Sequence, residues 1–145
     1  MTGYKRTSHT TYDNKFHLIW VTKYRKKVLK DEVGHRLRDI IRQVCSTEKV
    51  DILKGAIGLD HVHLLLEIPP YMSVSRIVQH LKGESSRKLQ LEYPMLKKQF
   101  WGQHLWAIGY FCATTGTVTD TVVKKYIEEQ GKNEEQEDKT FVVLG

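Results

Sequence analysis

The run Asp60-His61-Val62-His63-Leu64-Leu65-Leu66-Glu67-Ile68 constrains this chain more than any other stretch. Gly58-Leu59-Asp60 reads as a hairpin turn into it and Pro69-Pro70 stops it, so it has the length of one buried strand. Side chains alternate along a strand, which sends His61 and His63 to one face and Val62, Leu64 and Leu66 to the other. Cβ atoms two residues apart on a face are roughly 7 Å apart, near enough for two imidazoles to reach one divalent ion at about 2.0–2.2 Å. A His-x-His pair can also line a polar sheet face and bind nothing. Here Leu64, Leu66 and Ile68 anchor the strand in a core, which gives the pair the rigidity that a metal or catalytic site needs. A third ligand has to come from elsewhere.

The remaining elements follow from periodicity. Lys15 to Thr22 is β-branched and aromatic on both faces, as in a central strand. Behind Asp31, a candidate cap, Val33, Leu37, Ile40, Ile41 and Val44 recur at helical spacing. Val50 to Gly58 reads as a second strand, and the histidine strand is the third. Ser73 can cap a helix whose apolar face is Val74, Ile77, Val78 and Leu81. Gly83 in its polar second half points either to a close backbone approach or to a solvated helix end. Residues 1–13 read as a loose lead-in and 93–105 as irregular. Leu105 to Thr114 is the expected fourth strand. Thr117 or Thr119 can cap a last helix through Val122, Val123, Tyr126, Ile127 and Gln130. The order β-α-β-β-α-β predicts an α+β, ferredoxin-like antiparallel sheet with strand order 4-1-3-2 and an added C-terminal helix.

Length and composition narrow the function classes. The 145 residues predict a single domain spanning 1–145, with a core of about 14–130 and a polar, acidic tail over 131–145. No stretch approaches 18 uninterrupted apolar residues, which predicts no membrane partner, and the polar, basic N-terminus gives no sign of secretion, so a cytoplasmic protein is expected. Cys45 and Cys112 read as reduced core cysteines. Through residue 116 there are 19 Lys and Arg against 10 Asp and Glu, whereas beyond it there are 4 against 7. A basic body favours a polyanionic partner. Lys23-Tyr24-Arg25-Lys26-Lys27 sets four cations around an aromatic that can stack on a base; a solvated loop is the alternative. His35 and His80 fall on polar helix faces.

Tyr126 and Gln130 stand at i and i+4, which presents a phenol and a carboxamide on one helix face about 6 Å apart at Cβ. If that face meets His61 and His63, Gln130 supplies the third ligand and Tyr126 aims its hydroxyl at the substrate. A His, His, Gln set leaves positions open, which suits magnesium or manganese holding a phosphate oxygen better than a closed structural zinc. A phenol of pKa near 10 is a poor nucleophile until an adjacent cation stabilises the phenolate and draws charge from the phosphate. Attack would free an alcohol and keep the bond energy in a phosphotyrosine ester, so a second hydroxyl can reverse the step without ATP.

With His61-Val62-His63, Phe16 to Leu29, Lys82-Gly83-Glu84-Ser85-Ser86-Arg87 and Lys125-Tyr126-Ile127-Glu128-Glu129-Gln130, the sequence resembles the HUH single-tyrosine transposases of small insertion sequences. The resemblance spans roughly residues 14–130. It implies an endonuclease and strand transferase acting on single-stranded DNA at a subterminal hairpin, working as a homodimer in which the tyrosine helix of one subunit completes the metal site of the other. It makes Tyr126 the nucleophile, gives His61, His63 and Gln130 to the metal, and gives Lys23, Tyr24, Arg25, Lys26, Lys27, Arg87 and Lys88 to DNA. Replication initiators and relaxases share this chemistry but are usually parts of larger proteins. A domesticated HUH nickase, or a non-catalytic single-strand binding module, are the other readings.

Overall fold

The computed structural model describes residues 4–6, 11–101, 104–114, 121–122 and 125–129. The lead-in, expected to be loose, holds a two-stranded ribbon, β1 (Lys5–Arg6) and β2 (Thr11–Tyr12). The main sheet is built from β3 (Lys15–Val21), β4 (Asp51–Ile57), β5 (His61–Glu67) and β6 (Phe111–Ala113). Its order, β4-β5-β3-β6, is the expected ferredoxin-like arrangement read from the other edge. All the pairings are antiparallel, with Val21 opposite His61 and Lys15 opposite Glu67 at the two ends of the central pair.

Two helices cover one face of this sheet. In α1 (Asp31–Thr47) the stripe Leu37, Ile40, Ile41 and Val44 is buried, and in α2 (Val74–Glu92) so are Ile77, Val78, Leu81 and Leu89. They close over Leu18, Trp20, Val62, Leu64 and Leu66 to form the main core. Each such side chain contributes about 1.5–3 kcal/mol on burial. Ser73 caps α2 as expected, its Oγ accepting from the Arg76 N–H at 3.2 Å. Asp31 is instead the first helical residue of α1, after Lys30, and sits with Glu32 in the first turn, where negative charge favours the helix dipole. Gly83 lies mid-helix, and a Cβ there would meet nothing within 4 Å, so no part of the described chain approaches it.

Two stretches depart from the sequence reading. Part of the supposedly irregular segment is a short helix, α3 (Pro94–Gln99), started by Pro94. The long fourth strand is broken: Trp106 bridges Thr22, and regular pairing resumes only at Phe111. Between them Gly109 takes φ +92°, and Lys82 of α2 draws the chain aside, its Nζ donating to the carbonyl oxygens of Ala107 at 2.8 Å and Gly109 at 3.0 Å. Burial holds the Lys82 ammonium down to about 8. Cys45 is buried, whereas Cys112 is exposed rather than in the core. Residues 121–122 and 125–129 are helical, in keeping with the added C-terminal helix. Its expected caps, Thr117 and Thr119, together with Gln130 and the tail, lie outside the described residues.

Candidate functional site

The second sheet face carries the histidines. Because Val62, Leu64 and Leu66 belong to the main core, His61 and His63 point away from α1 and α2, and both are half-buried. A sharp turn positions His61: Gly58 N–H donates to the His61 carbonyl oxygen at 2.9 Å, and the imidazole lies over Gly58 itself. A Cβ at residue 58 would stand 2.3 Å from His61 Cε1, so only glycine accommodates the ring where it lies. His61 Nδ1 is 3.0 Å from the buried Asp60 carboxylate. With Nδ1–H donating there, the tautomer that offers Nε2 to a ligand is favoured. His63 Nε2 lies 3.3 Å from Nδ1 of His17 on β3.

A carboxylate behind a histidine is the usual support for a metal-ligating imidazole, so these residues suit a divalent ion. Among the described residues no group of three or more His, Cys, Asp and Glu side chains could hold one, so further donors must be of other kinds or lie elsewhere. Gln130, expected as the third ligand, lies outside the described residues.

Tyr126 packs on this same face. It joins Val21, Ala107 and Ile127 in a small cluster separate from the main core, its ring 5.9 Å from that of Phe111. Val21 is the register partner of His61, and Phe111 that of Ile19, which itself faces His63. Burial pushes the phenol up to about 12.

The expected DNA-contacting cations are unequally available. The turn Lys23–Arg25 puts Tyr24 and Arg25 at positive φ, 57° and 53°, a costly conformation that leaves the Tyr24 ring half-exposed. Lys23 Nζ lies 5.4 Å from the centre of that ring. Arg25 Nε is 3.6 Å from Asp60, which ties this turn to the carboxylate behind His61. Lys26 Nζ donates to the Gln99 carbonyl oxygen at 2.7 Å and covers the Phe100 ring, while Lys27 is exposed. Arg87 and Lys88 both pair with Glu84, at 3.2 and 3.5 Å.

Residues 10–130 match the family described as transposase IS200 like. The chain belongs to the IS200-like transposases. Among similar proteins, the ISDra2 transposase TnpA of Deinococcus radiodurans is 38% identical over 123 residues, covering 85% of this chain and 88% of the relative. The transposase for insertion sequence element IS200 of Salmonella typhimurium is 36% identical over 126 residues, covering 87% and 82%. A crystal structure of a Deinococcus radiodurans protein assigned as a transposase superposes with a TM-score of 0.80 at 36% identity, covering 87% of this chain and 97% of that one. A REP-associated tyrosine transposase bound to a REP hairpin shares the fold, with a TM-score of 0.54 at 15% identity over 89% and 68% of the two chains.

Three residues of this IS200-like transposase acquire significance only in three dimensions. Asp60 adjoins His61 in sequence, but its burial and its link to Arg25 are tertiary facts. His17 meets His63 because β3 and β5 pair in one particular register. Lys82 sets the course of the segment beneath Tyr126. No described helix is long and apolar enough to cross a membrane.

Proposed function

We propose that this IS200-like transposase cuts and rejoins single-stranded DNA beside a subterminal hairpin, with Tyr126 as the nucleophile. The observation that carries the reading is that Tyr126 shares a sheet face with His61 and His63. The phenol oxygen attacks the scissile phosphorus, the bond to the 3′ oxygen breaks, and that oxygen leaves as a hydroxyl after taking a proton. The product is a 5′-phosphotyrosine. Attack by the 3′ hydroxyl of a second strand reverses the step, joins the new strand and returns the phenol.

His61, His63 and Gln130 are the side chains proposed to hold magnesium or manganese. A divalent ion there would draw charge from the phosphate and lower the cost of a phenolate. Asp60 orients His61. Lys23, Tyr24, Arg25, Lys26, Lys27, Arg87 and Lys88 are proposed to contact DNA, by phosphate attraction and, for Tyr24, by stacking. A hairpin partner is in keeping with the fold relative bound to one. The proposed working form is a homodimer, for which the exposed outer edge of β4 offers a surface.

The test is incubation with single-stranded DNA carrying an imperfect hairpin, with magnesium or manganese, read on a denaturing gel. A protein–DNA adduct is expected, lost on chelation and in Tyr126→Phe, while hairpin binding survives in that variant. Hairpin binding by the wild type without an adduct would make the chain a non-catalytic module and overturn the proposal.

A further inference from the structure

Trp101 follows α3 with its backbone at φ 55° and its side chain 87% exposed. Its N–H donates to the Lys98 carbonyl oxygen at 3.2 Å, and the neighbouring Phe100 is buried. This turn therefore tucks one aromatic ring into the core and presents the next one to solvent. We infer that the Trp101 indole is a stacking platform for an unpaired base of the DNA, on a surface whose lysines attract the flanking phosphates. The inference rests on the single-strand reading above and adds a binding subsite to it.

Three observations carry it. A left-handed backbone is costly for a bulky residue, and such strain collects where a ligand is held. Trp101 shares it with Tyr24 and Arg25, and the two segments concerned lie side by side. Lys26 Nζ donates to the Gln99 carbonyl oxygen at 2.7 Å and lies 5.1 Å from the centre of the Phe100 ring, while Lys23 N–H donates to the Leu105 carbonyl oxygen at 2.8 Å. Trp101 falls between these two attachments in sequence.

Charge is the second observation. Residues 22–30 hold five lysines and arginines and residues 93–105 hold two, with no Asp or Glu in either stretch. Lys27, Lys97 and Lys98 are exposed. A phosphodiester backbone suits such a surface, and an indole adds a contact that any base can make, because every base has a π face. A paired base hides that face in its stack, so the occupant is unpaired. The third observation is continuity with the candidate site. Thr22 N–H donates to the Asp60 carbonyl oxygen at 2.9 Å, and Arg25 Nε is 3.6 Å from the Asp60 carboxylate, so the basic turn runs from the Trp101 segment to the residue next to His61.

The test uses the full chain and its own tryptophan emission. Trp20 and Trp106 are buried, so a change on binding that is absent from Trp101→Phe reports on this ring. The probes, at low salt and without metal, are oligothymidine, a strand of the same length lacking its bases, and a blunt hairpin with no unpaired flank. Oligothymidine is expected to quench the Trp101 emission, and the other two are not. Trp101→Ala should weaken oligothymidine binding by about five- to 150-fold, with melting and the salt dependence of binding unchanged, since stacking displaces no counterion. Trp101→Phe, which keeps a π face, should recover most of that loss. Equal quenching by the baseless strand or the blunt hairpin overturns the inference, as does wild-type affinity in Trp101→Ala. Emission that is shielded from acrylamide before DNA is added, in a concentration-dependent way, gives the indole to a second copy of this chain and also overturns it. Each of these outcomes leaves the Tyr126 reading intact, because no adduct is formed. A wild-type protein that binds no oligothymidine overturns both the inference and the single-strand reading.

Discussion

The indole Nε1 of Trp106 donates to Ser85 Oγ at 2.9 Å, and both side chains are buried. That Oγ also reaches the Leu81 carbonyl oxygen at 2.6 Å, so one hydroxyl joins α2 to the segment that bridges the end of β3. Ser85→Ala would strand the indole N–H in a dry environment. The expected cost is about 1–3 kcal/mol, read from urea unfolding followed by tryptophan fluorescence.

Gly58 should be irreplaceable for function but not for folding. The atoms a new Cβ would strike, His61 Cε1 at 2.3 Å and Nδ1 at 2.6 Å, belong to a side chain that can swing outward. Gly58→Ala is expected to melt near the wild-type temperature while manganese affinity falls by about tenfold or more, as when a ligand loses its support. Calorimetry and a thermal scan on the same preparation check both halves.

Asp60→Asn keeps an acceptor for His61 Nδ1–H but removes the negative charge behind the ring, which also attracts Arg25. Manganese binding should weaken by about tenfold. Calorimetry decides, and unchanged affinity would remove Asp60 from any role behind the metal.

Tyr126 should be slow to ionise. Burial raises its phenol to about 12, so at pH 10.5 it stays protonated in the metal-free protein while an ordinary tyrosine is mostly ionised. Linkage has a definite sign: between about pH 10 and 12 the unfolded chain gives up this proton before the folded one does, so the contribution of Tyr126 to stability is full below pH 10 and falls as pH rises. The difference in ultraviolet titration between wild type and Tyr126→Phe isolates this group. A difference curve with an ordinary midpoint near 10 would show that the ring is not buried in solution.

Lys27 and Lys26 separate contact from support. Lys27 is exposed, whereas Lys26 holds the Gln99 carbonyl oxygen and covers Phe100. Lys27→Ala should lower the salt dependence of hairpin binding by about 0.7–0.9 in a plot of log affinity against log salt, with melting unchanged. Lys26→Ala should lower the melting temperature as well. Filter binding across a salt series, with a thermal scan of each protein, tests the pair.

Where local rules govern, the sequence was informative. The histidine strand between Gly58 and Pro69, the buried stripe from Leu37 to Val44 and the Ser73 cap each arise from a few neighbouring residues, and the sheet order follows from the element order. The broken fourth strand was illegible because Lys82, far away in sequence, captures the carbonyls that a continuous strand would have paired. The ribbon of β1 and β2 is too short to leave a periodic trace. Pro94 signalled α3, a first-turn proline that the irregular reading passed over. Within the candidate site, the faces of His61 and His63 follow from strand parity. The meeting of His17 with His63 does not, since only the β3–β5 register brings them together.

Among the described residues, Tyr126 and Ile127 share no cluster with the side chains beneath α1 and α2. Docking one isoleucine and part of one tyrosine is worth about 3 kcal/mol, a fraction of the 5–15 kcal/mol that holds a typical domain together. The phenol thus rides on an arm whose docking is a small part of what holds the fold together; in the proposed reaction, its approach to a strand and its withdrawal need not disturb the sheet and its histidines.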